Sequence, residues 1–300
     1  MDQAMPRSAK KRGLARYGFA YALVSPTIVL LTSFLIFPLI ALFYYGFHET
    51  ALNGAIEFVG FKSFIDLFAE GRFRLDIVNT VIYLCGNLAI SIPLGYITAI
   101  LVSSGFRLAG LMRTTFIIPW VMAPVVSALL VRTLLNPTDG PIIDLLTWIY
   151  GEPVYPTLTA AGSMAVIVLH SAWRSFPLIM LLLAAAMTSI SREVYEAARL
   201  DGAGRWQQFW FITLPLTRTA LFSSMLAISV FTIHDAEGVF AVTRGGPGNA
   251  TETVAVRLFK EAFVSFNIGQ AATLGVVLVV LSILIILIQI FVFGRRGQGA

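Results

Sequence analysis

Charge and cysteine are scarce in this chain. Only 12% of its 300 residues are charged and 57% are hydrophobic, whereas about a quarter of the residues in a soluble domain are charged. This composition excludes an ordinary water-soluble enzyme and a disordered chain. The single cysteine, Cys85, excludes an internal disulfide and fits as a small core residue within an apolar run. The three histidines lack ligand spacing, so no metal site is expected.

Motifs for catalysis and nucleotide binding are also missing. The sequence contains no G-x-x-x-x-G-K-[ST], no H-E-x-x-H and no G-x-S-x-G. Gly245-Gly246-Pro247-Gly248 is not followed by a lysine, and Gly202-Ala203-Gly204 follows a predicted helix instead of a strand. We therefore expect no catalytic residue and no cofactor in this chain. It is predicted not to be an enzyme.

Long apolar runs dominate what is present. A membrane-spanning helix needs about 20 predominantly apolar residues. Two runs, 161–187 and 214–239, carry a few charged residues, and the uncharged runs are 17–47, 77–102, 114–131 and 268–293. The first run is too long for a signal peptide and no cleavage pattern follows it. The sequence predicts an all-α membrane protein with six transmembrane helices.

The distribution of basic residues predicts the orientation. With the N-terminus inside, thirteen Lys and Arg residues lie in cytoplasmic segments and six in outer loops. The positive-inside rule then places both termini in the cytoplasm of a multi-pass inner-membrane protein. This asymmetry accounts for the excess of 21 basic over 16 acidic residues without a nucleic-acid partner. The predicted parts are a basic cytoplasmic segment (1–16), a six-helix domain (17–294) and a cytoplasmic tail (295–300).

The largest cytoplasmic loop spans residues 189–218. Its pattern predicts a short helix that runs to Asp201, a left-handed stop at Gly202, and a second short helix that starts at Arg205 and ends before Pro215. The small pair Ala197-Ala198 in the first helix would allow close approach of another surface. Such a helix is suited to receive force from a cytoplasmic partner, and a plain amphipathic connector is the alternative.

This loop resembles the EAA loop of the permease subunits of binding-protein-dependent ABC importers. The matching positions, at full spacing, are Glu196, Ala197, Ala198, Gly202, Ile212, Leu214 and Pro215. Residues 243–253 are similar to the Thr-x-Gly-Gly-Pro stretch of the carbohydrate-importing branch, the maltose and glycerol-phosphate permease type. Trp173, Arg174 and Pro177 resemble the Trp-Lys/Arg-x-x-Pro pattern of that branch.

The resemblance implies a type I ABC-importer permease architecture and a transported sugar or related polyol. It implies a second permease subunit as heterodimer partner, two ATP-binding subunits that hold ATP and Mg²⁺, an extracytoplasmic solute-binding protein, and surrounding lipid. The binding protein would dock on outer loops 51–76 and 137–156. The coupling positions would be Glu196, Ala197, Ala198, Asp201 and Gly202, while Ile212, Leu214 and Pro215 would shape the return into the membrane.

Charged residues within the spans are the candidates for the substrate path. Arg174 lies near mid-depth, with His170 one helical turn away, and a charge there costs about 2.5–3.5 kcal/mol on insertion scales. Arg174 would either line or gate the path together with Trp173, or form a structural pair with a neighbouring helix. His234, Asp235 and Glu237 would bind sugar hydroxyls, or else be solvated at a helix end.

The chain departs from the family at one place. The family has a Phe-Asp pair before the Thr-x-Gly-Gly-Pro stretch, whereas this chain has Ala236-Glu237, preceded by His234-Asp235. A rival hypothesis is an ion- or proton-coupled secondary transporter that uses Arg174, His170, Asp235 and Glu237 as a relay. It predicts transport that survives ATP depletion.

Overall fold

A computed structural model describes residues 11–50, 56–105 and 107–293. Residues 1–10 of the predicted basic segment and the whole predicted tail, 295–300, lie outside this range. The described chain is built almost entirely from helices, with one small β-hairpin. The predicted all-α class is therefore confirmed.

Five helical segments are long and apolar enough to cross a membrane: Tyr21–Gly46, Gly71–Ser103, Ala160–Thr188, Arg205–Ile233 and Ile268–Phe293. A sixth candidate is a pair of shorter helices that bend by 98° at their junction. Counted as one broken span, this pair completes the six predicted transmembrane segments.

The N-terminal region comprises the first span and a small surface unit. The span begins within α1 (Lys11–Leu31) and continues through a π-helical segment into α2 (Phe37–Gly46). Helix α2 packs against the last span. The antiparallel strands β1 (His48–Thr50) and β2 (Ile56–Phe58) follow, and then α3 (Lys62–Ala69). Helix α3 buries Leu67, while Ile65, Phe68 and the preceding Phe61 are exposed.

The central region comprises α4 (Gly71–Ser103), α5 (Ala109–Val121), α6 (Pro124–Leu134), α7 (Pro141–Tyr150) and α8 (Ala160–Thr188). The sharp bend lies between α5 and α6, where Met122 and Ala123 are extended. Pro124 explains this conformation, because a proline disfavours helical geometry in the residue before it.

Helices α4 and α8 form the middle of the bundle and run parallel to each other. Gly86 faces Val168 and Gly95 faces Ile179, so residue numbers rise together along the contact. A Cβ atom at Gly95 would lie 2.5 Å from Ile179 Cγ2. The missing side chain is thus what allows the two helices to approach closely, as small residues do in other membrane bundles.

The region after α8 corrects one prediction. Helix α9 (Arg192–Leu200) ends where expected, but the next helix does not stop before Pro215. Instead, α10 (Arg205–Gln208) continues through a π-helical segment, Phe209–Thr213, into α11 (Leu214–Ile233). Pro215 lies in the first turn of α11, where a missing N–H is tolerated.

The predicted run 214–239 is also two elements and not one. Helix α11 ends at Ile233, and the short helix α12 (Ala236–Thr243) begins anew after Asp235, whose side chain accepts a hydrogen bond from Gly238 N at 2.9 Å. Helices α13 (Val254–Phe263) and α14 (Ile268–Phe293) complete the chain. The break at Asp235 places α12 and α13 against the ends of the spans.

Candidate functional site

Helix α9 lies at one end of the bundle and presents its surface to solvent. None of its residues is buried, and Leu200 is 89% exposed. Of the predicted coupling positions, Glu196, Ala197, Asp201 and Gly202 are exposed. Gly202 adopts φ +82°, the left-handed geometry predicted for the stop.

One hydrogen bond fixes α9 to the following span, and a second fixes the turn that follows α9. Tyr195 Oη lies 3.0 Å from Thr213 Oγ1, and the buried Gln208 donates from Nε2 to Ala203 O at 2.8 Å. Thr213 ends the π-helical segment, so α9 is linked directly to the irregular start of the fifth span.

A cavity of about 770 Å³ lies at the break between α5 and α6. Its walls come from the break itself, from α8, from the end of α11 and from α12 and α13. Four predicted path residues line it: Arg174, His234, Asp235 and Glu237. Trp173 and His170 do not. His170 is buried and hydrogen-bonded to Ser127 at 3.0 Å, which joins α8 to α6.

Arg174 and Asp235 lie next to each other in the wall of this cavity. The distance from Arg174 Nη1 to Asp235 Oδ2 is 3.6 Å, a loose ion pair. Arg174 Nε is buried and has no hydrogen-bond partner in the described chain. Asp235 is better held, because it also accepts a bond from Tyr83 Oη at 2.8 Å and caps α12. Arg174 is therefore the more weakly held member of this ion pair.

Glu237 is the least constrained charged group in the cavity. Its side chain is exposed and makes no hydrogen bond or ion pair with any described residue. By contrast, His234 Nε2 lies 3.1 Å from Ser282 Oγ on α14. The cavity is thus lined by a loosely paired guanidinium, Arg174, and an unpaired carboxylate, Glu237, with Trp120 and Phe259 in its walls.

A second group of charged side chains lies where α4 begins. This charge cluster comprises Glu70, Arg72, Asp76, Glu252, Arg257 and Lys260. It is at the end of the bundle opposite α9, because the parallel helices α4 and α8 both begin there. Burial lowers the pKa of Arg257, but hydrogen bonds to Glu70 and Asp76 outweigh burial and raise that pKa above its ordinary value. Arg257 is therefore charged at any physiological pH.

Comparison with known proteins identifies the family. Residues 91–296 match the model of the family described as "Binding-protein-dependent transport system inner membrane component". This chain belongs to that family. It is a multi-pass inner-membrane protein and the permease subunit of an ATP-driven importer.

Individual relatives agree with this assignment. The permease is 30% identical to the sn-glycerol-3-phosphate transport system permease protein UgpA of Agrobacterium fabrum, over 93% of this chain and 96% of the relative. It is 25% identical to the trehalose/maltose transport system permease protein MalF of Thermococcus litoralis, over 98% of this chain and all of the relative (100%).

Solved structures share the fold. A chain from the crystal structure of a bacterial ABC transporter that imports the acidic polysaccharide alginate matches with a TM-score of 0.82 and 22% identity, over 95% of the permease and 98% of that chain. The alginate transporter in complex with an alginate pentasaccharide-bound periplasmic protein gives a TM-score of 0.83 at the same 22% identity, over 96% and 98%. At this identity the likeness establishes the fold of the permease.

Within the permease, sequence reasoning missed several polar residues at the cavity. Tyr83 and Asn87 on α4 are fully buried, and Asn87 Nδ2 donates to Thr232 Oγ1 at 2.6 Å and to Ser175 Oγ at 3.3 Å. A signal existed, since Asn79, Tyr83 and Asn87 recur every four residues and so share one helix face. An aromatic hydroxyl and amides in an apolar run are expensive to bury without partners.

The charge cluster was missed as well. Its paired acidic and basic members lie up to 187 positions apart, as for Glu70 and Arg257. Only the packing of α13 on the start of α4 brings them together. No spacing rule within one helix predicts such a contact.

Proposed function

We propose that the permease carries a sugar or related polyol through the cavity around Arg174, driven by ATP-binding subunits attached to α9. The observation that carries this proposal is that one cavity is lined by Arg174, whose ion pair with Asp235 is 3.6 Å long, and by Glu237, which has no partner among the described residues. A hydroxyl group both donates and accepts, so a polyol can satisfy both residues at once.

The shape of the site supports the same class of cargo. Ten of the 17 residues in the cavity wall are aromatic or apolar and seven are polar or charged, a mixture that suits a ligand with both hydroxyl groups and an apolar face. The relatives are named as transport systems for sn-glycerol 3-phosphate and for trehalose and maltose. All of these carry several hydroxyl groups.

Coupling through α9 is proposed from its exposure and from the small side chains at its centre. The motor would consist of two ATP-binding subunits that hold ATP and Mg²⁺, so that this chain itself catalyses no reaction. A second permease subunit would complete the path as a heterodimer partner, and a solute-binding protein would deliver cargo on the side opposite α9. Both termini would lie in the cytoplasm, on the α9 side.

Co-purification from the native membrane tests the assembly. An affinity-tagged permease extracted in mild detergent should carry an ATP-binding protein and a second permease in stoichiometric amounts. Adding maltose-type and glycerol-phosphate-type solutes to membrane vesicles then tests the cargo class by competition for uptake. A permease that purifies without any ATP-binding protein, yet still transports solute, would contradict the proposal.

A further inference from the structure

The charge cluster joins three parts of the chain at the end opposite α9. Glu252 is fully buried and lies between Arg72, at 2.5 Å, and Lys260. Arg257 is only 2% exposed and lies between Glu70, at 2.5 Å, and Asp76, at 3.1 Å. The three acidic and three basic groups balance, and each ion pair connects either the start of α4 or α13 to another part of the cluster.

Helix α4 also fixes the loop between α12 and α13. Asn79 Nδ2 donates to Asn249 O at 3.1 Å and to Glu252 O at 3.0 Å, and Val254 N donates to Thr80 Oγ1 at 3.0 Å. Gly245 adopts φ +82°, and a Cβ atom there would lie 2.9 Å from Lys260 Nζ. The positive φ favours glycine where the loop passes the cluster, and a side chain there would displace Lys260.

Helix α13 presents two different faces. Arg257 and Lys260, one turn apart, point to the cluster, while Phe259 and Phe263, also one turn apart, line the cavity. The ion pairs hold one face of α13 at the cluster, so they help to orient the two phenylalanines on the other face. Desolvated ion pairs add little net stability but demand one geometry, since a stranded buried charge is costly.

We propose that the charge cluster positions the aromatic wall of the cavity, and that Glu252 and Arg257 are positioning residues for transport. The cluster ties α13 to span α4, so that Phe259 and Phe263 keep their place against the cargo while other walls move. This role rests on the proposed function of the cavity. It assigns to the 243–253 segment and α13 a task distinct from contact with ATP-binding subunits.

Cysteine labelling of the assembled complex tests the proposal without any cargo. In a Cys85→Ser background, Phe259→Cys reports the orientation of α13, and Trp120→Cys reports the same cavity from α5, outside the cluster. The readout is the rate of reaction with a membrane-impermeant maleimide. Glu252→Gln should change the rate at position 259 by about tenfold and leave the rate at position 120 unchanged.

Rescue separates positioning from folding. Arg257→Gln strands the buried Asp76 and should disturb labelling at position 259 more than Glu252→Gln does. Adding Asp76→Asn removes the stranded charge and should return the rate toward that of the parent. In the same cluster variants with Phe259 and Trp120 retained, the KM for a sugar that the parent transports should rise in the same order as the labelling change, at constant amounts of assembled complex.

Unchanged labelling at position 259 in assembled Glu252→Gln and Arg257→Gln complexes would overturn the proposal. So would equal changes at positions 259 and 120, because these would indicate general loosening of the fold. A parent complex that takes up no sugar would contradict the proposed function alone, since the labelling result does not depend on cargo.

Discussion

At the scale of the residue, Arg174 has fewer polar contacts than a largely buried guanidinium needs to be fully satisfied. Its side chain is 17% exposed, its ion pair with Asp235 is 3.6 Å long, and its Nε has no partner in the described chain. Asp235 has two further hydrogen bonds and does not depend on Arg174. A guanidinium in this state is ready to donate to a ligand, because unsatisfied buried donors are costly.

We therefore predict that Arg174→Met weakens transport without disrupting assembly. The KM for uptake should rise roughly tenfold to a hundredfold, the value of one hydrogen bond to a charged group. Arg132→Met, the same change at an exposed arginine of α6, is the matched control and should leave the KM unchanged. Uptake that stays at the parental level in Arg174→Met would remove Arg174 from the path.

The sequence identified Arg174 and its neighbours as candidates, but it did not show which of them line the cavity and which form structural contacts. A lone arginine in an apolar run predicts either a path residue or a structural pair. The structure shows both features at once, an ion pair and spare donors. His170 was predicted with Arg174 because it lies one turn away, yet the bend at Pro124 brings Ser127 to it instead. That contact depends on a tertiary break that helix periodicity does not reveal.

At the scale of the element, α9 combines exposure with firm attachment. Its outward face carries Glu196, Ala197 and Leu200, and its other side is bonded to the start of the fifth span through Tyr195. Small side chains at such a surface permit close approach by a partner. This arrangement suits a helix that transmits force into the span.

A large side chain at position 197 should uncouple ATP hydrolysis from transport. We predict that Ala197→Trp lowers ATP-driven uptake by at least about tenfold, the effect expected when a central interface contact is lost. ATP hydrolysis by the complex should no longer respond to loaded binding protein. Ala161→Trp makes the same change at an exposed alanine of α8, at the opposite end, and should transport normally. Equal uptake by the two variants would show that α9 does not carry the coupling.

The element boundaries show where sequence reasoning is reliable. The end of α9 and the left-handed Gly202 were predicted correctly, because a positive φ is a local requirement. The stop before Pro215 was wrong, since a π-helical segment lets the chain pass the proline without leaving the helix. Whether a proline ends a helix or begins a new turn is decided by the packing of the surrounding spans.

At the scale of the whole molecule, composition predicted most of the fold. Apolar runs gave the number of spans, because the bilayer fixes helix length. They did not give the break at Met122, the end of α11 at Ile233, or the charge cluster, all of which depend on contacts between distant segments.

The orientation of the bundle is a further prediction. In a Cys85→Ser background, Glu152→Cys, in the exposed loop after α7, should react with a membrane-impermeant maleimide in intact cells. Ala197→Cys should react only after the cells are permeabilised. The reverse pattern would place α9 outside and would exclude contact with cytoplasmic ATP-binding subunits.

The most direct test of the account is solute uptake by the purified complex in lipid vesicles, with and without enclosed ATP. The probes are radiolabelled maltose, trehalose and sn-glycerol 3-phosphate, supplied with the solute-binding protein. The account predicts accumulation of at least one probe only when ATP and the ATP-binding subunits are both present. Accumulation in ATP-free vesicles, or by this chain alone, would contradict it and favour an ion- or proton-coupled transporter.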